Sequence, residues 1–181
     1  MSDTATPYAL LKDIAERSRR LAAGLPEQQE AVELWNGIGF RIAGERYVAP
    51  MGEVVEILHV PRFTRVPGVY PFLLGAANVR GRLLPLMDLS LYFDLPRRSR
   101  SMRDRRVLVI EQDDLFSGLV VDDVAGMQYF AADSLIRNPA GVPEPVAPFV
   151  RGGYVRNDEV WRVFSPLELI EDEQFLNIAR W

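Results

Sequence analysis

Between Gly75 and Leu89 the chain reads Gly-Ala-Ala-Asn-Val-Arg-Gly-Arg-Leu-Leu-Pro-Leu-Met-Asp-Leu, and this stretch constrains the fold more than any other. The Leu83–Met87 run is apolar, short and bounded by Gly and Asp, so it reads as a buried strand rather than a helix. Pro85 inside it predicts an edge strand or a bulge, because proline has no N–H to give to a ladder. Gly75 and Gly81 predict positive φ or a close backbone approach. Asn78 and Arg80, one residue apart, point to one side of an extended segment, which describes a turn holding two polar groups above an apolar base. The residues alone leave two readings open, a structural turn with an incidental arginine or a turn that presents its arginine.

Composition excludes several function classes. At 181 residues the chain is one large domain or two small ones, with enough length for a core. It is 48% hydrophobic and 25% charged, as ordinary globular proteins are. No apolar run approaches the roughly 20 residues of a membrane span. The first residues have neither a basic nor a long apolar region, so no secretory signal is expected and a cytoplasmic protein is. The absence of cysteine excludes disulfides, thiolate catalysis and thiolate metal sites, and His59 alone cannot build a multi-histidine site. A net charge of -4 argues against a general nucleic-acid binder.

Read in order, Tyr8–Ala23 has helical spacing in Leu10, Leu11, Ile14 and Ala15, with Thr6-Pro7 at its start and Gly24 and Pro26 at its end. Its charged face suits either water or a partner. Leu25–Glu33 reads as a polar linker. Ile38–Ala43 and Arg46–Ala49 form a hairpin about Gly44-Glu45. Glu53–Val60 alternates on neither face, which predicts a strand covered on both sides for part of its length. Tyr70–Leu74 suggests a helical turn, and Asp88 suits the cap of a short helix over Leu89–Phe93. Arg97–Arg106 is the most basic segment and reads as an exposed linker between two halves, or as a site for nucleic acid or an acidic partner; it has no interleaved aromatic for base stacking.

The second half repeats the β texture. Arg106–Ile110, Leu115–Asp122 and Asp123–Phe130 read as strands, with Gly118 at a bulge or close approach. Ala132–Arg137 suggests a helical turn, and Pro139–Pro148 a loop. Phe149–Val155 and Val160–Phe164 form a hairpin about Asn157-Asp158. A helix from Ser165 or Pro166 to Ile178 closes the chain. Many short strands suggest barrels or a sandwich. The two clusters look alike in texture, with too little identity for an internal repeat.

Three separated motifs resemble one family. Gly75, Asn78, Arg80, Gly81, Pro85, Asp88 and Leu89, preceded by Val54-Val55-Glu56-Ile57 and Val66-Pro67 and followed by Gly118–Val124, resemble the CheW-like adaptor domain of bacterial chemosensory systems over Asn36 to Ile170. The first helix, Leu21–Pro26 and Trp35 resemble the branch that serves type IV pilus twitching motility. The resemblance implies a mainly β fold of two intertwined SH3-like β-barrels with an N-terminal and a C-terminal helix. The corresponding segments are 1–33 (helix and linker), 34–175 (barrels near 36–95 and 105–165) and 165–181 (helix). It implies no catalysis, cofactor or metal, and no nucleic acid. The implied role is an adaptor joining the regulatory domain of a CheA-type histidine kinase to the cytoplasmic tip of a methyl-accepting chemoreceptor, recruited to membrane-bound arrays without inserting.

Carried over by position, Val54, Glu56, Gly75, Asn78, Arg80, Gly81 and Gly118 match places associated with receptor binding or the fold around it. An arginine between glycines presents a planar donor fork, and Glu56 is its natural partner, so the two are expected within ion-pair distance. A kinase-facing apolar patch is expected at Ile42, Val48 and Ile57 of the first barrel. Arg82 stands where the family often has an apolar residue, which suggests a charge that tunes partner choice. Two rival functions are weaker. Adjacent aspartates at Asp113-Asp114 and Asp122-Asp123 point to opposite strand faces and cannot share a proton. A nucleic-acid-binding barrel, or one gripping an acidic partner, would have to act through Arg97–Arg106.

Overall fold

The computed structural model describes residues 7–21, 33–96 and 101–178. The chain divides into two units, Met1–Val32 and Glu33–Trp181. The first contains α1, Pro7–Leu21. Tyr8, Leu11 and Ile14 are exposed along it, and Arg17 pairs with Asp13 one turn earlier at 2.9 Å. The capping Thr6, the predicted helix end at Ala22 and Ala23, and the linker through Val32 lie outside the described residues.

The second unit holds β1 (Leu34–Ile42), β2 (Glu45–Pro50), β3 (Glu56–His59), β4 (Leu73–Val79), β5 (Arg82–Asp88), α2 (Leu89–Tyr92), β6 (Arg106–Gln112), β7 (Leu115–Val121), β8 (Asp123–Ala131), β9 (Val150–Arg156), β10 (Glu159–Phe164), α3 (Pro166–Glu171) and α4 (Glu173–Leu176). The strands form two curled sheets of five, β8-β1-β2-β10-β9 (barrel I) and β3-β6-β7-β5-β4 (barrel II). Neither barrel is one half of the chain. β3 to β5, before the Arg-rich segment, share a sheet with β6 and β7, after it, so that segment connects strands of one sheet.

The two sheets repeat one plan. In each, a hairpin (β1–β2 or β6–β7) joins through a parallel pair to the inner strand of a second hairpin (β10 beside β2, β5 beside β7), and a lone strand, β8 or β3, closes the far edge. The correspondence reaches single glycines. Gly75 on β4 and Gly152 on β9 have φ of +150° and +151°, and each lies beside a bridge from an upstream segment, Thr64 to Ala76 and Ile136 to Gly153.

Local chemistry sets the turns. Ala43-Gly44, Arg80-Gly81 and Asn157-Asp158 all have positive φ, the pattern of two-residue type I′ hairpins. The first therefore falls one residue before the expected Gly44-Glu45, because Gly44 takes the second left-handed position. Pro85 is not on an edge, since β5 lies between β4 and β7. It is tolerated because its partner Ala76 gives both backbone hydrogen bonds to Thr64 and pairing with β7 starts only at Leu86. The sequence expected a helical turn at Tyr70–Leu74, but Leu73 already begins β4. The expected single C-terminal helix breaks at Asp172, whose extended backbone ends α3 while its carboxylate accepts the Gln174 and Phe175 N–H groups that start α4. Over Ala132–Arg137 only Ala132–Ser134 is helical, as a 3-10 turn.

Alternation assigns the cores. On β6, Val107 and Val109 fill barrel II with Leu84, Leu86 and Val120, while Leu108 and Ile110 join a core shared by both sheets with Phe40, Leu119 and Phe164. A strand buried on both faces needs no polar alternation. β3 differs from expectation: it is an edge strand with Ile57 and His59 exposed. Barrel I is filled instead by Val48, Phe130, Tyr154, Trp161 and Val163.

Candidate functional site

The Arg80-Gly81 turn forms the rim of barrel II. Asn78 Oδ1 accepts the Gly81 N–H at 2.9 Å, and this side-chain bond holds the turn. Arg80 sits at φ +53°, so the extended-segment expectation for Asn78 and Arg80 fails: one side chain folds into the turn and the other projects from it. Arg80 Nη2 donates to Glu56 Oε1 at 2.6 Å, the pairing expected from sequence. Glu56 stands on β3 and the turn joins β4 to β5, so the pair spans the two open edges of the sheet. The Thr64–Ala76 bridge, with both bonds at 2.9 Å, closes the same seam through the backbone. Arg80 remains 77% exposed and Glu56 only 25%, which makes Glu56 the fixed member.

The other predicted receptor positions divide by burial. A Cβ on Gly75 would lie 2.2 Å from the Thr64 carbonyl oxygen. One on Gly118 would lie 2.8 Å from Val107 Cγ1 and 2.9 Å from Leu86 Cδ2. Both glycines are buried, so they build the barrel and offer no contact surface. Val54 is half-buried against the shared core. Glu56, Asn78, Arg80 and Gly81 are the positions brought together at the rim.

Arg82, on the same hairpin, donates to Glu111 at 2.8 Å and lies over the Phe116 ring, 3.9 Å from its centroid. Its charge is thus answered within the chain, which sequence reasoning did not foresee. Leu83, opposite Asn78 across the hairpin, is 72% exposed and was also missed; a bulky apolar residue next to a tight turn was its only signal.

The expected kinase patch needs correction. Ile42 and Val48 are fully buried, Ile42 in the shared core and Val48 inside barrel I, so neither can meet a partner. Ile57 is 39% exposed and belongs to barrel II; with Val55, at 59%, it forms a short apolar row on the β3 edge.

The basic segment is likewise not a uniform exposed loop. Arg97–Arg100 lies outside the described residues. Arg105 is buried and makes a two-point contact with Asp88, at 2.7 and 2.9 Å, while Asp88 caps α2 through the Ser90 and Leu91 N–H groups. Arg106 is half-buried and donates to the Arg103, Asp104 and Arg105 carbonyls.

The paired aspartates are structural: Asp122 accepts the Gly44 N–H at 2.8 Å and Asp123 faces Arg41 at 3.5 Å. Among the described residues no cluster of His, Asp and Glu could hold a metal ion, and no helix is long and apolar enough to cross a membrane.

The rim of barrel II thus carries a seam clasped by an arginine that stays largely open to solvent. Residues 36–174 match the family model of the CheW-like domain, and the chain belongs to that family of chemosensory adaptors. It is 51% identical to Protein PilI of Pseudomonas aeruginosa over 179 residues, 99% of each chain. It is 36% identical to the chemotaxis protein CheW of Helicobacter pylori over 112 residues, 62% of this chain and 67% of that one. The crystal structure of the scaffolding protein TtCheW from Thermoanaerobacter tengcongensis matches with a TM-score of 0.64 at 26% identity, over 73% of this chain and 89% of that one.

Proposed function

We propose that this chain is a non-catalytic adaptor of a type IV pilus chemosensory pathway, coupling the cytoplasmic tip of a chemoreceptor to the regulatory domain of a CheA-type histidine kinase. Likeness to PilI along 99% of both chains supports the pilus assignment. In this reading the protein works in the cytoplasm and reaches membrane-bound arrays through its partners.

The observation that carries the reading is the Arg80 fork, held at the barrel rim by a type I′ turn and by Glu56 yet largely open to solvent. A fork so placed suits a carboxylate or a row of backbone carbonyls on a helical receptor tip. Asn78 and Gly81 fix the turn, Leu83 supplies apolar contact beside it, and Gly75, Gly118 and Val54 keep the barrel in shape. The Val55–Ile57 row on the β3 edge is the apolar surface offered to the kinase, since an exposed edge strand with apolar side chains is a natural protein contact.

Co-sedimentation of receptor tip, kinase regulatory domain and this chain tests the role. The three should form a ternary complex in which kinase and receptor associate only when the chain is present. Arg80→Glu should release the receptor and leave the kinase bound, and Ile57→Asp should do the reverse. Unchanged assembly with both variants overturns the assignment of faces, and kinase–receptor association that ignores the chain overturns the adaptor role.

A further inference from the structure

The end of α2 meets the Pro-rich loop and the start of α4. The cavity between them measures about 370 Å³ and is lined by Tyr92, Phe93, Phe149, Pro145, Pro148 and Asp172. Phe93 and Phe149 are buried, and Pro145 and Pro148 form an exposed rim. The rings are fixed by their neighbours: Tyr92 meets Phe93 edge-on at 5.0 Å and Phe175 at 5.1 Å, and Phe93 lies 5.8 Å from Phe149.

The acid in this wall is only half used. Asp172 Oδ1 accepts the Tyr92 hydroxyl at 3.3 Å and the Gln174 and Phe175 N–H groups at 2.9 and 3.1 Å. Oδ2 has no hydrogen-bond partner among the described residues. Exposed Glu173 follows it in sequence, so two carboxylates stand together at the start of α4. Burial and the Asp172 carboxylate push the Tyr92 phenol up to about 12, which keeps the ring neutral at physiological pH.

We propose that this cavity is a socket for an arginine side chain carried by a protein partner. Aromatic walls attract a cation through their ring faces, most strongly where water is excluded. A guanidinium is planar and weakly hydrated, so it can stack on Tyr92 while one N–H bonds the open oxygen of Asp172. An apolar side chain would fill the aromatic space but offer nothing to that oxygen, which half-buried Asp172 otherwise turns to water. The socket involves none of the residues assigned to the receptor or kinase contact and does not rest on that assignment.

The test is an NMR titration of the full chain with N-acetyl-arginine amide and with its neutral isostere, N-acetyl-citrulline amide. The arginine probe should shift the Tyr92 ring and Gln174 amide signals, and citrulline should bind roughly tenfold more weakly. Asp172→Asn keeps a capping side chain at the start of α4 and should reduce the arginine affinity to that of citrulline, with the melting temperature little changed. Tyr92→Leu should weaken the arginine probe and spare citrulline. Equal binding of the two probes, as an apolar or merely polar pocket would give, overturns the proposal. So do arginine-induced shifts that avoid Tyr92 and Gln174, or an Asp172→Asn variant that binds arginine as the parent does.

Discussion

In barrel I, Arg156 at the end of β9 reaches across the seam to Gln128 on β8, with its guanidinium 5.1 Å from the Phe130 ring and 5.3 Å from the Trp161 ring. In barrel II, Arg80, just past the end of β4, reaches across the equivalent seam to Glu56 on β3. The strand plan is shared and the position of the clasp is nearly shared, but the surroundings differ. The barrel I clasp is half-buried against aromatic rings that also pack its interior, Phe130 stacking on Tyr154 at 4.6 Å. The barrel II clasp faces water, its arginine mostly exposed. An exposed ion pair contributes little to stability, so Arg80 can exchange its partner cheaply while Arg156 cannot. Of two repeats with one topology, one has its clasp built into the core and the other keeps it on the surface, where another protein can use it.

The largest expected contrast lies where each inner strand hands over to a helix. In barrel II, Asp88 caps α2 and is held by buried Arg105. In barrel I, Ser165 caps α3 and donates to Glu53 at 2.8 Å, which also accepts the Leu167 N–H at 3.2 Å and pairs with half-exposed Arg151 at 3.0 Å. Arg105→Ala breaks the buried two-point ion pair with Asp88 and should cost about 3–5 kcal/mol in denaturant unfolding. Glu53→Ala leaves only neutral donors and an arginine that can reach water, and should cost roughly 1–3 kcal/mol. The reverse order would mean that the two junctions are not organised as described.

The glycine pair gives the next contrast. An added Cβ meets backbone oxygen in both places, at 2.2 Å from Thr64 for Gly75 and at 2.8 Å from Ile136 for Gly152. Both alanine variants should destabilise, by about 1–3 kcal/mol, with Gly75→Ala the worse. Equal costs would show that the bridge in barrel II yields as easily as that in barrel I.

Alkaline titration probes the core shared by both sheets, where Tyr47 packs. Burial pushes Tyr47, on β2, up to about 12, and no tyrosine lies on β3 to β7. A phenol whose folded pKa exceeds its unfolded value of about 10 favours the folded state fully below that value and loses its contribution as pH rises towards 12. The near-ultraviolet circular dichroism of Trp35 and Trp161, both in barrel I, should therefore fade between pH 10 and 12 as Tyr47 ionises. A signal that survives beyond pH 12 would contradict this.

The clasps themselves should give the smallest effects on stability. Arg156→Ala loses contact with two rings and should cost about 1–2 kcal/mol, whereas Arg80→Ala should cost no more than about 1 kcal/mol. Matched values from thermal unfolding would remove the distinction between the repeats.

What the sequence made legible was local or carried by motif. The Asp88 cap, the glycine approaches and the Glu56–Arg80 pair all depend on residues whose chemistry admits few partners. The division into barrels was not legible, because the parallel pairs β2–β10 and β5–β7 join segments far apart in the chain and leave no periodic trace. Ile42 and Val48 show the limit of alternation: it tells which residues share a face, not whether that face meets water. Arg105 was hidden by its neighbours, since a run of arginines reads as solvated until one of them is found opposite a buried aspartate. β3 looked doubly covered because Val55 and Ile57 are apolar, yet as an edge strand it leaves both exposed.

The most direct measurement is the affinity of Arg80→Ala for the receptor tip by calorimetry, set beside its melting temperature. We expect binding to fall by at least about tenfold, the loss of a charge-assisted contact of roughly 1.5–3 kcal/mol, while the melting temperature stays near that of the parent. Parental affinity in a folded Arg80→Ala protein, or a loss of binding that only accompanies unfolding, would contradict the claim that the exposed clasp is the contact.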